Sequence, residues 1–226
     1  MSDIAATLAV LQFGDSFFPS GSVSFSWGLE GLVESGVVTS ADAVQSFVIG
    51  QLHARWAHFD RAVVVASHRA SPNLKAVAEV DDQVEIQTPS GELRSGSSRM
   101  GDAMLSVFAR LGFDEILTYR EMIKRGAAHG HVVPMQGFLW ARAGLSESDA
   151  IALSAHTFCT GFLSAGIRLG CLTHIDAQHA MIEAHREAAS IAELPVPSIN
   201  ELSSYGVEAE IAVMRHVNND LRAFAN

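Results

Sequence analysis

The sequence predicts an all-α protein, a single-domain bundle of about eight to ten helices spanning residues 1–226, on three observations. Apolar residues recur at the 3.6-residue helical period from one end of the chain to the other. No stretch sustains the two-residue alternation of a half-buried strand; Val37-Val38 with its neighbours comes nearest and is too short. No internal repeat, low-complexity tract or shift in composition marks a linker, and the many Ala and Gly residues favour close helix–helix approach.

The elements follow in order. After the turn at Ser35-Gly36, Ser40 can cap a helix whose stripe runs Val44, Phe47, Val48, Leu52, Trp56, Phe59, Val63 and Ala66, about seven turns of unbroken helical spacing. Ser71-Pro72 stops it and opens a shorter helix carrying Leu74, Val77 and Val80. Thr88-Pro89-Ser90-Gly91 breaks the pattern again. A stripe of Leu93, Met100, Met104, Phe108 and Leu111 follows, Gly112 closes it, and Ile116, Leu117, Tyr119 and Ile123 carry the next element. Gly126 to Pro134 reads as a loop because Gly126, Gly130 and Pro134 fall within it. Met135 to Ala143 is a short helix. Ser146 with Glu147 and Asp149 makes an N-terminus for the clearest stripe, Ile151, Ala155, Phe158, Phe162, Ala165 and Leu169. Thr173 to Asp176 opens a helix running to about Ala189, Leu194-Pro195-Val196-Pro197 is a rigid connector, and a final helix carries Val207, Ile211, Met214, Val217, Leu221 and Phe224.

Composition bounds the function. The 226 residues are 48% apolar and 18% charged, enough for one core that needs neither metal nor disulfide to fold. The formal charge of −10, with Lys75 and Lys124 the only lysines, excludes a nucleic-acid footprint, which needs a concentrated basic face. Met1-Ser2-Asp3-Ile4 lacks a leader pattern and no window nears an uninterrupted apolar span, so a cytosolic, non-membrane protein is expected. Cys159 and Cys171 are 12 residues apart, about 18 Å along a helix, and read as buried free thiols.

Reactive machinery is sparse. The chain has no Gly-x-x-x-x-Gly-Lys-Ser/Thr loop, no Gly-x-Gly-x-x-Gly, no His-Glu-x-x-His and no Gly-x-Ser-x-Gly. No two of its ten histidines are three or four residues apart, so no helix face offers a two-His clamp. His129-Gly130-His131, in the Gly-rich loop, can converge on a borderline metal such as nickel, or be two exposed loop histidines. Cys171 and His174 offer a soft-plus-imidazole pair, or a buried thiol beside a helix-opening His. Asp176, His179 and Glu183 share one helical face of ordinary solvated charge. A non-enzyme without a resident cofactor is the expectation.

The most specific stretch lies near the start. Asp15 to Gly21 is a turn with φ fixed at Pro19 and a permissive Gly21; Phe25-Ser26, Trp27 and Gly28-Leu29-Glu30 follow, ending at Gly36. Farther on come Arg94, Ser98, Arg99, Met100 and Gly101 with Met104-Leu105; Gly130-His131-Val132-Val133-Pro134-Met135-Gln136-Gly137; Ser164-Ala165-Gly166-Ile167-Arg168-Leu169-Gly170; and Met214-Arg215-His216 with Arg222 and Phe224. In this order they resemble the motifs of the UreF family of urease accessory proteins across essentially the whole chain. The Pro of the third motif is displaced. The family's Pro-Leu-Gly-Gln is replaced by Cys171-Leu172-Thr173-His174, and its later Glu and Tyr by Val217 and Asp220.

The resemblance implies a helical, homodimeric, non-catalytic maturation factor. It implies bridging of a scaffold protein, UreD (also called UreH), and the GTPase UreG on apo-urease, so that GTP hydrolysis is coupled to nickel insertion. The matching positions Pro19, Gly21, Gly28, Glu30, Arg99, Gly101, Gly137, Arg168, Arg215, Arg222 and Phe224 are then partner-binding candidates, with residues 207–226 as the docking tail. Packing is the competing role for each. Two other functions remain open: a regulator that activates or gates the partner GTPase, and a metal-binding protein using His129, His131, Cys171 and His174.

Overall fold

The computed structural model of the chain describes residues 3–19 and 26–204. Among these every regular element is helical: α1 (Asp3–Gly14), α2 (Leu29–Glu34), α3 (Ala41–Gln51), a π-helical segment (Leu52–Asp60), α4 (Arg61–Ala70), α5 (Leu74–Gln87), α6 (Gly91–Arg110), α7 (Glu115–Lys124), α8 (Val132–Arg142), α9 (Glu147–Arg168), α10 (His174–Ala192) and a short 3-10 turn (Ile199–Glu201). The all-α reading holds. The predicted final helix with Arg215, Arg222 and Phe224 lies outside the described residues.

The long stripe from Val44 to Ala66 is one continuous helix, α3 through α4, with the π segment at its middle. The apolar residues Leu52, Trp56, Phe59 and Val63 are buried along it, as their spacing requires. Capping fixes the starts of the helices. Ser40, Asn73, Ser90, Ser146 and Thr173 each accept a backbone N–H of the first turn, and Ser146 and Thr173 form full capping boxes with Asp149 and Asp176, each cap contributing about 1 kcal/mol.

Two main apolar clusters share α9. One is built by α2, α3, the π segment, α9 and α10 around Leu29, Val48, Trp56, Phe162 and Ala184; the other by α6, α7, α8 and the start of α9 around Met104, Phe108, Ile116, Phe138 and Leu153. The most extensive helix–helix contact is α4 on α8, where Gly137 lets the two backbones touch: a Cβ there would stand 2.2 Å from the Val64 carbonyl oxygen. Gly101 does the same where α6 meets the start of α8, its missing Cβ lying 1.9 Å from the Gly130 carbonyl oxygen. Helix α9 is long and apolar enough to cross a bilayer by length and composition alone, but half of that span is buried in the body against its neighbours, as befits the central helix of the bundle. The buried Arg61 guanidinium donates to the carbonyls of Ile191, Leu194 and Pro195, closing the C-terminus of α10 and pinning the Pro-rich connector.

Four details depart from the sequence reading. Helix α8 begins at Val132 rather than Met135, so Pro134 is helical; at the third helical position its missing N–H has no intrahelical partner to lose. Leu111 and Leu117 are 51% and 53% exposed, Leu111 because it caps the C-terminus of α6 and Leu117 because it sits about 100° round α7 from Ile116. Cys171 is half-buried, unlike Cys159, because it lies in the turn beyond α9; the Cys159 thiol is pushed up to about 12 by burial and is inert. Helix α1 was not legible at all. Its residues are apolar nearly all round, so it shows no stripe, and Ile4, Leu8 and Leu11 stand exposed.

Candidate functional site

The densest polar chemistry in the described residues lies where α5 faces the loop between α7 and α8. Asp81 stands on the buried stripe of α5 with Val77, Val80 and Val84 and has no exposed surface. Its carboxylate is fully satisfied: Oδ2 accepts the Tyr119 hydroxyl at 3.0 Å and the backbone N–H groups of His129 at 2.8 Å and Gly130 at 2.7 Å, and Oδ1 accepts His131 N–H at 3.0 Å. A buried anion is tolerated because these donors replace its hydration. Desolvation and the adjacent Asp81 charge push the Tyr119 hydroxyl far above its ordinary range, so it stays a donor. Gly130 has φ +75, and an added Cβ would meet the Ile123 Cδ1 at 2.7 Å, so the three successive N–H groups can converge on one carboxylate only with glycine between the histidines.

Asp81 thereby holds the backbone from which two imidazoles reach α5 again. His131, whose side chain has no exposure, lies with Nε2 2.8 Å from Glu85 Oε2 and Nδ1 3.5 Å from Ser98 Oγ. His129, one-third exposed, has Nε2 3.2 Å from Asp82 Oδ1 and Nδ1 3.7 Å from Glu85 Oε2, and its ring stacks on that of His131 at 5.8 Å. Arg94 Nε donates to Glu85 Oε1 at 3.0 Å while its Nη1 is tied to the Thr88 and Pro89 carbonyls. Burial outweighs the nearby Asp81 and Glu85 charges and holds the His131 imidazole below its ordinary value. Ser97 Oγ accepts the Val132 N–H at 3.1 Å and anchors the first turn of α8 to α6.

The two loop histidines are therefore brought together, and the picture of two exposed side chains is corrected for His131: the helix start at Val132 folds it inward between α5 and α6. Asp81, Asp82 and Glu85 went unread because they lie more than 40 residues upstream. One signal was available, a carboxylate at a core position of the Val77, Val80, Val84 stripe. Cys171 and His174 join no group of three ligating residues among the described residues; Cys171 Sγ faces the Leu169 carbonyl instead.

The remaining candidates fall in different places. Gly28 is the left-handed residue (φ +89) that precedes α2, following Trp27 at φ +53. Glu30 is buried on α2, and its charge acts on the Arg168 guanidinium at the end of α9, opposing the lowering of that group by desolvation. Two of the quoted motifs thus meet. Gly101 and Gly137 sit at the helix crossings already described, and Arg99 and Pro19 are exposed. Gly21, Arg215, Arg222 and Phe224 lie outside the described residues.

Comparison with known proteins places the whole chain in context. A family model, UreF, matches residues 38–185. A urease accessory protein UreF of Trichodesmium erythraeum (strain IMS101) is 30% identical over 232 aligned positions, covering 100% of this chain and 99% of its own length. Proteins of the same name from Yersinia pseudotuberculosis and Yersinia enterocolitica are each 27% identical over 223 positions, covering 97% of both partners.

Proposed function

This chain belongs to the UreF family, and from that membership we propose that it is a non-catalytic factor of urease maturation that holds a UreD/UreH scaffold and a UreG GTPase together on apo-urease while nickel is inserted. The observation that carries the reading is the match to urease accessory proteins over 97–100% of this chain. The physical form agrees. A body whose regular elements, among the described residues, are all helical, carrying no phosphate-binding loop motif, offers grooves and faces rather than nucleotide chemistry.

Partner contact is assigned to the ends of the chain. Ile4, Leu8 and Leu11 form an exposed apolar row at helical spacing on α1, and Phe17 beyond it is 95% exposed, a surface that gains by being covered by a second protein or a second copy. The buried Glu30 of α2 attracts the Arg168 guanidinium at the end of α9, beside Gly28. The tail at 207–226, with Arg215, Arg222 and Phe224, is assigned to scaffold docking, and the site of action is the cytoplasm. Co-expression with the cognate scaffold and GTPase tests the reading: native mass spectrometry is expected to show all three chains in one particle, with this chain present as a dimer. An Arg222→Ala variant that recovers the scaffold as fully as wild type removes the tail assignment. Failure of the wild-type chain to recover either partner removes the reading itself.

A further inference from the structure

The ion-paired cluster at the α5 face also brings three metal-ligating side chains together. Glu85, His129 and His131 each present one ligating atom, and these atoms lie within 4.8 Å of one another. In a tetrahedral site with bonds of about 2.0–2.2 Å, donors stand roughly 3.3–3.6 Å apart. The separations of Glu85 Oε2 from His131 Nε2, 2.8 Å, and from His129 Nδ1, 3.7 Å, bracket that value. Each of the three also has its outer partner in place on the atom that would not ligate. Asp82 faces His129 Nε2 at 3.2 Å, Ser98 faces His131 Nδ1 at 3.5 Å, and Arg94 holds Glu85 Oε1 at 3.0 Å. Outer-shell contacts of this kind fix tautomers and ring orientations in metal sites. The backbone carrying both imidazoles is held by the buried Asp81, so the donors are positioned before any ion arrives.

We infer that Glu85, His129 and His131 bind one borderline divalent cation of the first transition row, such as Ni²⁺, Co²⁺ or Zn²⁺, through Glu85 Oε2, His129 Nδ1 and His131 Nε2, with a fourth position open to water or to an exchanging ligand. The ion binds the Nε2 lone pair of His131 on the side facing Glu85, and the ring carries its single hydrogen on Nδ1, donated to Ser98 Oγ. His129 likewise keeps its hydrogen on Nε2, donated to Asp82. Two imidazoles and one carboxylate select these ions over Mg²⁺ or Ca²⁺. A site with three protein ligands and one open position exchanges its ion, unlike a closed structural zinc site. The site stands on its own geometry and does not depend on the maturation reading.

The test is Co²⁺ titration of the purified full-length chain, read by d–d absorption, with Ni²⁺, Zn²⁺ and Mg²⁺ as competitors. Wild type is expected to develop a four-coordinate Co²⁺ spectrum that Ni²⁺ and Zn²⁺ displace and Mg²⁺ does not. Glu85→Gln and His129→Ala, at partly exposed side chains, are each expected to leave the circular dichroism unchanged and to raise the dissociation constant at least about tenfold. The Cys171→Ser/His174→Ala double variant is expected to bind as wild type does. No spectrum with the wild-type chain, equal binding by the Glu85 and His129 variants, or loss of binding in the Cys171/His174 variant alone would each overturn the assignment.

Discussion

Replacing Asp81 with Ala is expected to destabilise the protein by about 3–5 kcal/mol. The carboxylate is fully buried and is the acceptor for the Tyr119 hydroxyl and for three consecutive backbone N–H groups. The substitution leaves those donors facing a small cavity with no acceptor in reach. Asp81→Asn should fall between the two, because its amide keeps one oxygen but turns an NH₂ group toward N–H donors. The loss is most of the margin of an ordinary domain. Urea denaturation followed by circular dichroism measures it, and a midpoint unchanged in Asp81→Ala would show that the loop does not depend on this residue.

The second large effect reverses a familiar rule. Glycine to alanine inside a helix normally stabilises by roughly 0.5–1 kcal/mol. At Gly101 and Gly137 the added Cβ would meet backbone carbonyl oxygens at 1.9 Å and 2.2 Å. Backbone cannot rotate away as a side chain does, so two helix crossings must separate. Each variant should lose about 3 kcal/mol or more. Gly50→Ala supplies the internal control: it is exposed on α3 with nothing within 4 Å of the new Cβ, so it should gain stability. Thermal unfolding of the three variants side by side checks the contrast.

These two sites bear on what a sequence can and cannot disclose here. Helix positions were readable wherever a stripe contrasted with a polar face, as at Val44 to Val63 or Phe158 to Phe162, and wherever a capping residue stood in front of it, as at Ser146 and Thr173. Helix α1 failed for want of contrast, and the start of α8 was misplaced because Pro134 carries the same loop signal in a first helical turn as in a loop. The chemistry was half visible. His129 and His131 announced themselves by spacing, but their partners Asp81, Asp82 and Glu85 come from a helix that only folding brings beside them. Gly101 and Gly137 carry a second lesson. Motif positions that can be read as contacts for another protein are also where this chain's own helices touch most closely.

The account rests on a protein that works by positioning others, and reconstitution from purified components measures that most directly. Apo-urease, nickel, GTP, the scaffold and the GTPase are combined with and without this chain, and urea hydrolysis is followed. Activation that needs the chain, together with no turnover of GTP or urea by the chain alone, is the predicted result; full activation in its absence, or hydrolysis by the isolated chain, would contradict it.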